Sequence, residues 1–282
     1  MFDRRLLRRN RLRSRHPVFL EELLAREIAQ RLDEVLRDFE TVLIHGHGAA
    51  AVAASLRGNP RLGRIIRAAS ISDPGIDIVL DAEALPFAPQ SLSAIVSLLT
   101  IQSVNDLPGA LIQMRQALRP DGMMLACLFA GSTLEELRRA WLAAESAMTG
   151  GASPRVAPFA ELRDLGGLLQ RAGFALPVAD ADRTVLRYQS AMALMREIKA
   201  LGFGHALVAR TRRPVTPGLL AAAASFYDRE NSDADGKIRA TIEVAWLTGW
   251  APHDSQQRPL KPGSAQARLA DALKTSEFKA GR

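Results

Sequence analysis

The stretch Thr41-Val42-Leu43-Ile44-His45-Gly46-His47-Gly48-Ala49-Ala50 says most about the fold. Residues 41–44 are β-branched or aliphatic and read as a short strand. Gly46 and Gly48 end it, because glycine turns tightly and lets a backbone approach a ligand closely. The alanine-rich run 49–56 then has helical character and stops near Gly58-Asn59-Pro60. Strand, glycine turn and helix form the opening unit of a nucleoside-binding sheet. A turn that binds nothing would use the same glycines, so this motif alone leaves both readings open.

Towards the N-terminus, residues 17–36 place Phe19, Leu20, Leu23, Leu24, Ile28, Leu32 and Val35 at helical spacing with charge opposite. Towards the C-terminus, 64–71 reads as a second strand and 76–80 as a third. Only Ser72-Asp73-Pro74-Gly75 separate them. A parallel crossover needs about a dozen residues, so either these runs are not parallel neighbours or one is not a strand. Residues 92–100 are an almost continuous apolar run, suited to a central strand buried on both faces. The spacing predicts a helix over 107–118 with Pro108 in its first turn. A turn follows at Arg119-Pro120-Asp121-Gly122, then another buried strand over 123–129. Ser132 and Glu135 have the form of a capping box for a helix reaching Met148.

After a loop at 150–158, a helix over 159–172 is closed by Gly173. Residues 178–188 read as a strand or hairpin and 191–201 as a helix ended by Gly202. A basic loop over 203–217 carries Arg210, Arg212 and Arg213, followed by a helix over 219–229 and a β-prone strand over 241–250. The tail is polar and proline-rich at 251–263, with a short helix at 265–273. Alternating strands and helices predict a single α/β domain, one mostly parallel sheet with helices on both faces. Ligands of such sheets bind beyond the carboxyl ends of the strands near the switch point, where residues 45–50 fall.

Composition sets outer limits. With 282 residues, 48% hydrophobic and 24% charged, the chain can build one large core. No run approaches the roughly 20 apolar residues that span a bilayer. The one cysteine, Cys127, excludes a disulfide framework or multi-cysteine metal site within the chain and fits a reducing compartment. The net charge is +7, and seven of the first fifteen residues are arginine. Such a run suits a solvated basic helix, nucleic acid, anionic lipid or an acidic protein. It has no apolar core or cleavage site of a secretory signal, and Asp3, Glu21, Glu22 and Glu27 argue against a transit peptide. A cytoplasmic location is expected. Aromatic residues are 5% of the chain, which gives no stacking platform and argues against nucleic acid.

Several residues could carry chemistry. His45 and His47 are too few for a structural metal site with no cysteine near, so no metal is assigned. Asp81 and Glu83 precede Leu85-Pro86-Phe87; a carboxylate there can accept hydrogen bonds from an adenine amine, or cap a loop. Asp106 reads as a helix cap. Trp246, Trp250 and Tyr188 read as core or groove wall. His253-Asp254-Ser255 joins a base, an acid and a hydroxyl, but sequence neighbours seldom form a relay. No catalytic residue is nominated.

Longer segments carry a resemblance. They are Phe2-Asp3-Arg4 with its basic helix, Ala84-Leu85-Pro86-Phe87, Ser103-Val104-Asn105-Asp106-Leu107-Pro108, Leu118-Arg119-Pro120-Asp121-Gly122 and the loop 151–158. The last is Leu247-Thr248-Gly249-Trp250-Ala251-Pro252-His253, continued by Ser255-Gln256-Gln257-Arg258-Pro259. Over nearly its whole length the chain resembles the methyltransferase-fold family that includes mitochondrial complex I assembly factors of the arginine-hydroxylase type and their bacterial relatives. It is similar, more distantly, to the biotin-pathway methyltransferase acting on malonyl carrier protein. The resemblance implies a Rossmann-like class I methyltransferase fold with a seven-stranded, mostly parallel sheet. It implies a basic helical segment at 1–40, a methyltransferase-like domain at 41–250 with a helical insertion near 190–235, and a tail at 251–282.

The cofactor so implied is S-adenosylmethionine, at Gly46, Gly48, Ser70, Asp81 and Glu83. The implied partner is a respiratory complex I subunit or another protein substrate. Two acids of the family pattern are missing. The acid before the first glycine falls on Ile44, the third glycine on Ala50, and the ribose-binding acid on Ser70. The adenine-side acid is kept at Asp81, and the usual Leu-His-Trp before Asn105-Asp106 is Ile101-Gln102-Ser103. Each lost charged hydrogen bond costs roughly 1.5–3 kcal/mol, together roughly a hundredfold or more in affinity. Two functions follow: a methyltransferase-like protein of complex I assembly with an eroded cofactor turn, or a non-catalytic relative that binds a partner protein. For the second, the N-terminal helix and Arg210, Arg212 and Arg213 are contact candidates.

Overall fold

The apolar run at 92–98 lies at the middle of the sheet, as its composition demands. Strand β4 (Leu92–Leu98) is paired in parallel on both sides, with β1 (Phe39–His45) and with β5 (Leu118–Phe129). Beyond β1 lie β2 (Leu62–Ala69) and β3 (Ile78–Val79), also parallel. On the other side β7 (Ile238–Trp250) runs antiparallel between β5 and β6 (Ala175–Tyr188). The order is therefore β3-β2-β1-β4-β5-β7-β6. It reverses between β1 and β4, which sets the switch point there.

This computed structural model describes residues 1–14, 19–211, 213–257, 269–272 and 274–275. It divides into two units, Met1–Pro252 and His253–Arg282. In the first, α1 (Arg4–Arg11) precedes α2 (Phe19–Asp33), and α3 (Ala49–Ser55) follows β1. Then come α4 (Leu107–Ala117), α5 (Glu135–Thr149), α6 (Leu162–Arg171), and α7 (Ala191–Ala200) and α8 (Pro217–Asn231) between β6 and β7. The second unit contains the four-residue helix α9 (Leu269–Ala272). Arg212 and the rest of the helix expected at 265–273 lie outside the described residues.

Side chains alternate across the strands with period two. Val42, Ile44, Val96 and Cys127 pack in one core with α2, α3, α5 and α8. Leu43, Ile95, Met124 and Ala126 pack in the other with α4 and α6. At the far end of the sheet β6 has Val178 and Val185 about half exposed. Arg31 on α2 reaches this end: its Nη2 is 2.9 Å from Asp180, and its guanidinium lies 4.4 Å from the Trp246 ring centre.

Four local expectations need correction. First, β2 and β3 are parallel neighbours, with Ala68 opposite Ile78 and Ala69 opposite Val79. Residues 70–77 join them without a helix. That suffices because β3 pairs only with the carboxyl end of β2, so the chain returns about 7 Å rather than a full strand length. Second, Ser132 does not cap α5. Its hydroxyl donates to Glu243 at 2.7 Å, a charged acceptor on β7, and the helix starts after Leu134, whose φ is +55°. Third, Arg119–Gly122 is not a free turn but an irregularity inside β5. The register slips there against β4, and Asp121 takes φ +61°. Fourth, helix α6 begins at Leu162 rather than at 159.

Candidate functional site

The carboxyl ends of β1, β2, β3 and β4 open onto a cavity of 540 Å³. Gly46, Ser70, Asp81 and Glu83 all line it; Gly48 is set back from it. A Cβ on Gly46, whose φ is +146°, would collide with the Leu98 carbonyl oxygen, and one on Gly48 with the Leu98 side chain. Gly46 is therefore demanded by the backbone of β4 independently of any ligand, whereas at Gly48 the obstacle is the end of a side chain that can shift. Ile44 is fully buried in the core beneath α2 and α3, so no polar group reaches the cavity from that position. Ser70 is exposed at the end of β2.

Helix α1 lies against this cavity. Asp3 caps it, accepting the Leu6 N–H at 3.0 Å, and also accepts from Arg210 at 3.1 Å. Phe2 bridges to Leu207, and its N–H donates to Asn105 at 2.7 Å. The start of the chain is thereby fastened both to the segment after α7 and to the segment before α4. From this anchored helix Arg4 pairs with Asp81 and with Glu83, the latter at 2.8 Å. Glu83 also accepts the Asn105 N–H at 2.5 Å, and Asp81 accepts the Glu83 N–H at 3.0 Å. Both carboxylates nominated from sequence are thus taken up by groups of the protein. Asp106 caps α4 as expected, accepting the Gly109 N–H at 2.8 Å.

Deeper in, Arg11 is buried, with its guanidinium 4.6 Å from the Phe203 ring centre. Burial pushes it down to about 10, with Glu21 acting the other way. His45 is fully buried and lines the same cavity, and neither ring nitrogen has a hydrogen-bond partner among the described residues. Burial, and then the charge of Arg11, push the imidazole down to about 4, so it is neutral at physiological pH. Arg5 and Arg8 also line the cavity, exposed and without an ion pair among the described residues. Sequence reading missed Arg4. The available signal was Asp3 opening a basic helix, but nothing local says where that helix lies.

A second cavity, of 770 Å³, has mostly apolar walls, including Phe129, Trp141, Met195 and Phe203, with Tyr188 on its border. Tyr188 is thus groove wall, whereas Trp246 is core. In the second unit, His253 Nδ1 lies 2.7 Å from Ser255 Oγ. Among the described residues no His/Cys/Asp/Glu group has the makings of a metal site. No helix among them is long and apolar enough to cross a membrane.

The strand order and the cavity at its switch point define a Rossmann-like methyltransferase fold. The family model described as "Methyltransferase domain" matches residues 48–126. The YcgJ protein of Bacillus subtilis aligns with a TM-score of 0.53 at 12% identity, covering 81% of this chain and 98% of that one. Arginine-hydroxylase NDUFAF5, mitochondrial, of Rattus norvegicus is 34% identical over 293 residues, covering 98% of this chain and 85% of its own length. Malonyl-[acyl-carrier protein] O-methyltransferase of Xylella fastidiosa is 33% identical over 270 residues, covering 89% of each. The chain belongs to the methyltransferase-fold family of arginine-hydroxylase NDUFAF5.

Proposed function

We propose that this protein is a non-catalytic member of its family that binds a partner protein during assembly of respiratory complex I. The observation that carries the reading is Arg4, which pairs with both Asp81 and Glu83, the two carboxylates that the resemblance assigns to the cofactor. The residues present do not fit S-adenosylmethionine. Ile44 and Ser70 offer no carboxylate, and the two carboxylates that remain are engaged by Arg4. The cavity walls carry Arg4, Arg5, Arg8 and Arg11 against Asp81 and Glu83. A sulfonium cation entering that surplus of positive charge is repelled.

Partner binding falls to the basic surface of α1, with Arg213 as a further exposed contact. A cytoplasmic location goes with this reading, since the one cysteine is buried and has no second to pair with. A specific observation supports a second reading, a working S-adenosylmethionine-dependent enzyme: Gly46, Ser70, Asp81 and Glu83, which the family resemblance assigns to the cofactor, line one cavity.

Calorimetric titration with S-adenosylmethionine and S-adenosylhomocysteine separates the two. No heat at millimolar ligand from a folded protein supports the first reading. Micromolar binding lost in Asp81→Ala overturns it and puts the enzyme first. Pull-down of a tagged chain should then recover complex I subunits, and failure to enrich them would remove the assembly role.

A further inference from the structure

We infer that the cavity at the switch point takes a nucleoside diphosphate, with its phosphates against Arg5, Arg8 and His45. The inference rests on the reading that this cavity does not hold S-adenosylmethionine, and four observations support it.

The first is size and place. At 540 Å³ the cavity falls within the roughly 300–1,000 Å³ of small-molecule sites. It lies beyond the carboxyl ends of parallel strands, where such sheets receive nucleosides.

The second is charge. Arg4 offsets one of the two negative charges of Asp81 and Glu83, and with Arg5, Arg8 and Arg11 the arginines lining the cavity outnumber its two carboxylates. Arg5 and Arg8 are left lining the same cavity with no ion pair among the described residues. Guanidinium groups present planar forks of donors that match phosphate oxygens in pairs.

The third is His45. It is fully buried at the cavity wall, and both ring nitrogens lack a hydrogen-bond partner among the described residues. A buried polar group without a partner is costly, and a site that binds nothing has no reason to keep one. A neutral imidazole carries one N–H, which can donate to a phosphate oxygen without adding charge.

The fourth is the nucleoside end. Val79 on β3 is 52% exposed and lines the cavity, an apolar wall for a base. Ser70, exposed at the end of neighbouring β2, presents a hydroxyl to a ribose where a carboxylate would repel nearby phosphates.

The test is calorimetric titration of the full chain with ADP, adenosine, pyrophosphate and S-adenosylmethionine, each at low and at moderate salt. ADP should bind at least tenfold more tightly than adenosine or pyrophosphate, and more weakly as salt rises. Arg8→Gln lies on an exposed helix surface and should weaken ADP at least tenfold with an unchanged thermal midpoint. His45→Asn should weaken it further; because that variant could fail to fold, Arg8→Gln carries the test. Adenosine binding as tightly as ADP, or pyrophosphate doing so, would overturn the inference. So would displacement of ADP by a single-stranded oligonucleotide at equal phosphate concentration. Absence of both ADP and S-adenosylmethionine binding sinks the inference and leaves the non-catalytic reading standing. Micromolar S-adenosylmethionine binding sinks both.

Discussion

Asp77 grips Arg67 through three hydrogen bonds. Its Oδ2 accepts the Arg67 backbone N–H at 2.8 Å and Nε–H at 2.9 Å, while Oδ1 accepts from Nη2 at 2.7 Å. One residue immediately precedes β3 and the other lies near the end of β2. The Arg67 side chain first, and its backbone N–H second, hold the Asp77 carboxyl down to about 2. This clamp lets a helix-free link join two parallel strands, and it holds β3 at the edge of the candidate site.

Asp77→Asn should change global stability little, by about 0–1 kcal/mol, because the pair is more than a third exposed on both sides. Locally the effect should be larger. Amide exchange at residues 78–80 is expected to rise several-fold, as the edge opens without global unfolding. The carboxyl is depressed on folding, so its contribution is intact above the usual carboxylate range and fades as pH falls towards 2. Unchanged exchange in the variant would mean that the ladder bonds alone hold β3.

His45 gives a dependence of the same sign at higher pH. Its imidazole is at about 4 in the folded chain against 6.5 when exposed, so between these values the unfolded chain binds the extra proton. Stability is then full above pH 6.5 and falls as pH drops towards 4, by about 3 kcal/mol at most. Urea midpoints at pH 7.5 and pH 5 should differ for the wild type and differ less for His45→Gln. Equal slopes in the two proteins would show that His45 is protonated without penalty.

Glu136 ties α5 to β7. It is buried, with Oε1 3.1 Å and Oε2 3.2 Å from the Thr241 N–H, and it also accepts the Thr241 hydroxyl. Glu136→Ala strands both donors away from water and should cost about 1–3 kcal/mol. Glu136→Gln keeps one acceptor and should cost less. Thermal melts of the pair test this, and equal losses would assign the effect to packing instead.

Cys127 is buried on β5, and burial pushes its thiol up to about 12, against a small opposing effect of the Leu99 N–H. Iodoacetamide at pH 8 should leave the native protein unlabelled and modify it fully in urea. Labelling of the native chain within minutes would reveal a local opening of β5.

Much of this fold could be read from runs of side chains. The apolar stretches at 92–100 and 123–129 pointed to central strands because their short length and turn residues on either side suit a strand covered on both faces. The link from β2 to β3 was misread because the crossover rule assumes a return along a whole strand, and β3 has two residues. Ser132 was misread because its acceptor, Glu243, lies 111 positions away and outcompetes the local amide. In the site, Gly46, Ser70, Asp81 and Glu83 were legible as positions of a family pattern and do share one cavity. The arginines of α1 were not. Their place is fixed by contacts such as Asp3 with Arg210 and Phe2 with Asn105, which no local rule connects.

A sheet that does not close leaves a free border, and here one border is β6, fourteen residues long. Exposed valines on such a strand invite another chain to add itself, the first step towards aggregation. Four charged side chains counter this, and each is moored to the body of the protein. Asp180 and Asp182 are held by Arg31, Arg183 by Glu135, and Arg187 by Asp233 and Asp235. An incoming strand would have to strip these ion pairs before making its own bonds. The register slip after Ala175, next to Pro177, removes regular ladder positions at one end. The border is thus guarded by chemistry where topology leaves it open, and a charge-neutral β6 should make the same fold prone to self-association.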